Sequence, residues 1–514
     1  MPEIEFKLPD ERLEAYTWVL FDEHMPVASS PLIGNHFGGM GRQAPEEFPP
    51  RSLQIHGLTY MREDMIPSPA GAMRGQELPA SVEAMRRWRA EWQPEVDKVI
   101  EALANFGPST VAPGTWEETL DSQRAEYWRV FGAVHRSAVF PAHAVSGRLQ
   151  EAYVERFGEG RRGDALALLQ GMPNASTERA GMLWELSRIA RAHADVAEAL
   201  EKGAEVPPSA GGQVFEQALQ KLRDRFGSSS EGFVEDRPNW REDAALPLAA
   251  VRAYMKLEDG RGPLDMERQQ SERRERLERE LRELAPKDEA ASEILRLLPI
   301  AQEHMPNLED HNYYTDQCLS AASRARWFAI GRHLVSQGLI DAADDVFYLY
   351  RPELIDVLEG KLTPDKASLV ERRAELEAIR RVAPPPVLGK PPAASTEPLP
   401  AELHATELRV LRGVAASPGS YRGRARVIDS IEEAASLREG DVLVCRATTP
   451  AWTPFFGIIA ALVTNGGGAL SHSAIVAREF GIPAVIGTVN GSATIRDGAT
   501  VTVDGSHGVV LIED

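Results

Sequence analysis

Between Pro384 and Pro400 the chain reads PPPVLGKPPAASTEPLP, and this segment separates two parts that do not share one pattern. Before it, apolar residues recur at three- and four-residue spacing; after it, short β-branched runs alternate with turn signals. Proline fixes φ and lacks a backbone donor, so a run this rich in it neither continues a helix nor enters the middle of a sheet. Its composition favours an extended, semi-rigid spacer. A chain of 514 residues also exceeds one ordinary core. The expected fold class is therefore multidomain: a mostly α-helical domain over 1–383, a mobile linker over 384–406 and a C-terminal α/β domain over 407–514.

In the first part, Arg124–Phe157 and Arg179–Leu200 carry helical periodicity and should bury one stripe in a helical core, whereas Met266–Leu284 mixes charges of both signs and suits an exposed helix. The net charge of −20 repels nucleic acid and anionic lipid at long range, so neither is expected as a partner. No apolar run approaches the ~20 residues of a membrane helix. The N-terminal MPEIEFKLPDERLEAY has no export pattern, and a cytoplasmic location is expected. Cys318 and Cys445 lie far apart and form no metal-ligand spacing, so no metal site is expected in this chain.

After the linker, RARVI (424–428), DVLVC (441–445), AALVT (460–464), PAVIG (483–487) and TVTVDG (500–505) read as strands, with helices expected at 431–437 and 471–480. The most constrained stretch is TNGGGALSHSAIVAREFGIPAVIG, residues 464–487, where a strand ends in three glycines and a histidine opens a helix. Glycines 466–468 let the backbone turn tightly against a ligand, and Ser471 is a good helix cap. His472 then sits where the positive end of the helix favours an anion such as a phosphoryl group and disfavours imidazolium, which keeps the ring nucleophilic. Gly467, Gly468 and Ser471 are the expected phosphate-binding groups. Val476 and Glu479 share the face of His472, and Arg478 is rotated away, where it should serve as an ion-pair partner.

The segment GGGALSHSAIVAREFGIPAVIG resembles the phosphohistidine signature of the phosphoenolpyruvate-utilising enzymes, and GVAASPGSYRGRARVI (413–428) and DVLVCRATTPAWTPFF (441–456) resemble the rest of their swivelling domain. That resemblance implies that His472 takes up and passes on phosphate. Leu470 stands where pyruvate dikinases carry a regulatory threonine, so that regulation should be absent. Residues 308–354, with LLQGMPNAS, RFGSSSEGF, NWRED and the N-terminal YTWVLFDEHMPVASSPL, resemble the substrate domain of rifampicin phosphotransferase and of phenylphosphate synthase-like dikinases. No counterpart of an ATP-grasp domain or of a phosphoenolpyruvate-binding barrel is seen. The resemblance thus implies ATP and Mg2+ bound by a separate ATP-grasp subunit, and a small-molecule hydroxyl as acceptor, with a phenolic compound preferred. A rifampicin-type acceptor and a phosphocarrier without small-molecule acceptor are the alternatives.

In the helix after Asn307, α-helical spacing puts Asp310, Gln317, Ala321 and Arg324 on one stripe and His311, Tyr314, Cys318 and Ala322 on the next. Small residues beside polar ones suit a helix lining a cavity. His311 is the first choice for the base that removes the acceptor's proton, and a satisfied interior histidine is the other reading of it. Asp310, Tyr314 and Arg324 are the expected substrate-binding residues; His24 and His36 are weaker candidates, and His507 is expected to be exposed and idle.

Overall fold

The computed structural model describes residues 4–21, 28–37, 48–65, 82–83, 86–231, 234–382, 384–390, 409–428, 430–469 and 471–513. Near the N-terminus β1 (Thr17–Leu20), β2 (Ser52–Ile55) and β3 (Leu58–Arg62) form an antiparallel sheet that a fourth strand, β4 (Val387–Gly389), completes in the order β2-β3-β1-β4. The strand β4 corrects the expected linker: Leu388 pairs with Trp18, and Tyr60 donates its hydroxyl to the Pro385 carbonyl at 2.9 Å. Prolines 384–386 only precede the strand, so no ladder donor is lost. The rest of the expected linker lies outside the described residues.

The remainder of this part is helical. Helix α1 (Trp116–Val134) passes through a π-helical turn, His135–Val139, into α2 (Phe140–Phe157). Helix α3 (Ala175–Ala192) opens on Asn174, whose side chain accepts from the amides of Ser176 and Thr177, and α4 (Ala245–Met255) packs on it. The charged α5 (Pro263–Leu284) buries only Pro263, Leu277 and Leu281 and presents its other residues outward or to the rim, as its sequence foretells. Helix α6 (Glu289–His304) packs against α2, and the short α7 (Asn307–His311) runs through a second π-helical stretch, Asn312–Gln317, into α8 (Cys318–Ser336).

The C-terminal part is an eight-stranded mixed sheet in the order β5-β12-β11-β7-β8-β9-β10-β6. Its parallel centre is β7 (Ser420–Val427), β8 (Val442–Cys445), β9 (Ala461–Thr464) and β10 (Ala484–Ile486). Here β8, β9 and β10 are buried along their whole length, the mark of a central parallel sheet covered on both faces. The edges are β5 (Arg409–Arg412) and β6 (Val414–Ser417), and β11 (Thr500–Asp504) with β12 (Val509–Glu513) completes an antiparallel flank. Residues expected as helix at 431–437 form a 3-10 turn, Ile431–Ser436, and α9 (His472–Glu479) follows β9.

The two parts share one apolar core. Trp452, Phe455, Phe456 and Phe480 join Leu183, Phe226, Trp240 and Tyr254 from the helical part, and Ile475 of α9 enters the cluster built by Leu168, Leu169 and Met305. At ~25 cal/mol per Å2 of apolar surface, burial of several aromatic rings is what holds the α/β part docked.

Candidate functional site

The loop between β9 and α9 is held at several points. Thr464 donates its hydroxyl to the Gly466 carbonyl at 2.7 Å, and the Gly466 amide donates to the Arg446 carbonyl at 2.9 Å. Gly467 has φ of +107°, a conformation closed to residues with a Cβ. Ser471 caps α9 by accepting from the Ala474 amide at 3.4 Å, and the Ser473 and Thr448 hydroxyls meet at 2.8 Å. Arg478 is buried and donates to the carbonyls of Ala416 and Ala469 at 2.8 and 2.7 Å. It ties the glycine loop to β6 through carbonyls, where an ion pair was expected. Leu470 lies outside the described residues.

His472 therefore opens α9 on a prepared support, and its ring meets the helical part directly. Its Nδ1 lies 3.0 Å from Oε2 and 3.2 Å from Oε1 of Glu309 on α7. Its Nε2 lies 3.4 Å from the Thr453 hydroxyl. Glu309 is 1% exposed, and its Oε2 also accepts from the Ser176 hydroxyl at 2.7 Å. A carboxylate only accepts, so Nδ1 is the donor and the neutral ring presents its lone pair at Nε2. Glu309 thus selects the tautomer as well as the orientation of the ring, and the lone pair is left on Nε2, toward the Thr453 hydroxyl.

Further polar contacts cross the boundary, an exposed ion pair between Arg261 and Glu439 and two buried contacts among them. Arg179, buried between the rings of Phe226 and Trp240, donates to the Pro450 carbonyl at 2.6 Å and to the Ser229 hydroxyl at 3.1 Å. Burial draws its pKa down to about 10, against the opposing charge of Glu309. Glu479 accepts from the Gly171 amide at 3.0 Å, and burial pushes its carboxyl up to about 8 despite that bond.

The residues expected to bind the acceptor are occupied by the scaffold. Asp310 accepts from the Ala175 amide at 2.9 Å, at the start of α3. Tyr314 meets the guanidinium of Arg225, which pairs with Glu178. Arg324 donates to Glu242 at 2.7 Å and to the Glu235 carbonyl at 2.9 Å, with its guanidinium over Phe328. His311 is buried, its Nδ1 is 2.9 Å from the Asn307 carbonyl, and its Nε2 is 3.7 Å from Asp316. His472 makes its hydrogen bonds to Glu309 and Thr453 instead. His24 lies outside the described residues, as does the side chain of His36 on the short helix Pro31–Phe37, and His507 is exposed beside Asp504. Glu309 had no distinguishing signal, because an acidic residue in a first helical turn reads as a complement to the helix dipole.

Residues 437–508 match the profile of the PEP-utilising enzyme mobile domain, and residues 135–309 match that of the rifampicin phosphotransferase fourth domain. The chain carries a mobile domain of the phosphoenolpyruvate-utilising enzyme family. It is 31% identical over 501 residues to chondramide synthase of Chondromyces crocatus, covering 88% of this chain and 12% of the synthase. It is 29% identical over 400 residues to the rifampicin phosphotransferase of Streptomyces sviceus, covering 71% of this chain and 42% of that protein. Identity to the phosphoenolpyruvate synthase of Aeropyrum pernix is 52% over 102 residues, which is 20% of this chain and 12% of the synthase. The chain thus spans between about an eighth and less than half of the length of these relatives. Among the described residues no helix is long and apolar enough to cross a membrane.

Proposed function

We propose that this chain is the acceptor-binding and phosphohistidine component of an ATP-dependent dikinase, carrying phosphate on His472 Nε2 and passing it to a hydroxyl of a small molecule. The observation that carries the reading is the bond from His472 Nδ1 to Glu309 across the boundary between the mobile and helical parts. A phosphoryl group on Nε2 departs most easily when Nδ1 is protonated, because the leaving group is then neutral imidazole. The docked arrangement keeps that proton in place and so is the discharge position. As the acceptor oxygen bonds to phosphorus, the P–N bond breaks and its electron pair returns to Nε2, while the acceptor's proton passes to a base. Closure of the apolar contact around Trp452 and Phe456 excludes water that would otherwise hydrolyse the phosphohistidine.

In this reading ATP and Mg2+ belong to an ATP-grasp unit on a separate chain, which loads His472 while the mobile domain is undocked. An aromatic or phenolic hydroxyl remains the proposed acceptor, and the match of residues 135–309 to the rifampicin phosphotransferase fourth domain supports a rifampicin-type acceptor as the second reading. The test needs no partner. Phosphoramidate phosphorylates reactive imidazoles directly, so the purified chain should acquire acid-labile, alkali-stable phosphate at His472, and acceptors from a panel of phenols and rifampicin should discharge it. Absence of any such label on His472, or label that none of the hydroxyl compounds discharges faster than water does, overturns the proposal.

A further inference from the structure

Two interruptions of regular helix meet beside Glu309. One is the π-helical turn His135–Val139 between α1 and α2; the other is the π-helical stretch Asn312–Gln317 between α7 and α8, and the first packs against α7. Such turns widen the helix, are poorly tolerated without compensation and recur at functional sites. In an unbroken α-helix Asp316 would lie five residues and roughly 140° around from His311. The wider turn brings them to one side, with His311 Nε2 3.7 Å from Asp316 Oδ2. The His135 ring stands edge-on to that of His311, 5.1 Å between centroids, and one ligand atom from each of the three residues lies within 4.8 Å of the others.

The three groups are electron-pair donors whose ligand atoms lie close together. His135 Nδ1 and His311 Nδ1 each lie 2.9 Å from a carbonyl oxygen one turn back, those of Phe131 and Asn307. A carbonyl only accepts, so Nδ1 carries the hydrogen in each ring and Nε2 of the neutral imidazole offers a lone pair. This backbone bond is also the one that orients metal-binding histidines. Asp316 is 1% exposed, and neither of its carboxylate oxygens has a hydrogen-bond partner among the described residues. We propose that His135, His311 and Asp316 form a binding site for a divalent first-row transition cation of the zinc class. Two imidazoles and one carboxylate suit such an ion better than magnesium or calcium, which prefer oxygen donors. Zinc–ligand bonds of ~2.0–2.2 Å require the donors to close in by roughly an ångström, within the reach of side-chain torsions. Three protein ligands leave a further position for water or an oxygen of a bound molecule. His311 is two residues along α7 from Glu309, so the cation would sit within one helical turn of the residue that holds His472.

The full chain, stripped with a chelator and titrated with Co2+, should bind one equivalent with the visible absorption of a low-coordinate nitrogen and oxygen site, and Zn2+ should displace it. Zn2+ should also raise the melting temperature. Asp316→Asn and His135→Gln should each lower Co2+ affinity by more than the ~10–100-fold that loss of an outer-shell partner costs, and abolish the thermal shift. Circular dichroism checks that each variant folds, and His135→Gln, at a half-buried position, serves if Asp316→Asn does not. Failure of the wild-type chain to bind Co2+ or Zn2+ stoichiometrically, or binding that survives both substitutions unchanged, overturns the site and leaves Asp316 as a protonated carboxyl between neutral rings.

Discussion

Replacing Glu309 by glutamine tests the docked arrangement at the charged contact of the His472 ring. The substitution keeps the shape and the Ser176 contact but removes the anion that faces His472 Nδ1 at 3.0 Å. A hydrogen bond to a charged partner is worth about 1.5–3 kcal/mol, and a buried site places the loss toward the upper end. At ~1.4 kcal/mol per decade this corresponds to a discharge rate lowered by roughly 10–150-fold. The amide can also turn its NH2 toward Nδ1, which moves the ring hydrogen to Nε2 and blocks the reacting nitrogen. In the proposed cycle loading takes place with the mobile domain away from Glu309, so phosphorylation of His472 by phosphoramidate should change by less than about 3-fold. Single-turnover decay of the labelled chain in the presence of a competent acceptor gives the discharge rate, and nitrogen-15 chemical shifts of the His472 ring report its tautomer. Unchanged discharge in Glu309→Gln, or equal losses in loading and discharge, would refute the argument that this bond defines the discharge position.

His472→Ala should remove all acid-labile phosphate while the melting temperature stays within about 3 °C of wild type, since the ring is held by its bonds and not by core packing; residual histidine phosphate in that variant would place the carrier elsewhere. Burial raises the Glu479 carboxyl from an ordinary ~4.3 to about 8, so the folded, docked chain keeps a proton that the open chain releases. The stability tied to that proton is full below ~4.3 and declines as pH rises toward about 8. The wild-type melting temperature should therefore fall relative to Glu479→Gln across that window, and parallel melting curves would contradict it. Deleting half of the 18 residues 391–408 cuts their maximum span from ~60 to ~30 Å, which should slow loading by an ATP-grasp partner far more than discharge, because the proposed discharge takes place in the docked state; equal rates in both steps would argue that the two sites share His472 with little movement.

What could be read from the sequence was what is local. Thr464 to His472 holds the end of a strand, a turn that needs glycine, a helix cap and the proposed nucleophile within nine residues, so each element's chemistry supports its neighbour's. Strands β7 to β11 were legible for the same reason. By contrast Glu309 lies 163 positions from His472, and its role exists only when two separately patterned parts dock. Strand β4 was hidden by the three prolines in front of it and by a partner, β1, that lies near the other end of the helical part. The faces of the helix after Asn307 failed for a subtler reason. A helical wheel assumes that every residue turns by one angle, and the π-helical stretch Asn312–Gln317 does not. Tyr314 and Arg324, placed in the site by the wheel, are held by Arg225 and Glu242, and Asp316, absent from both forecast stripes, arrives beside His311. The departure from the wheel falls where a buried carboxyl group without a hydrogen-bond partner among the described residues meets two oriented imidazoles, and nothing in the propensities of Asn, Tyr, Thr or Asp favours the wider turn, so it is the packing of the other π-helical turn, His135–Val139, against α7, not local preference, that a sequence reading lacks.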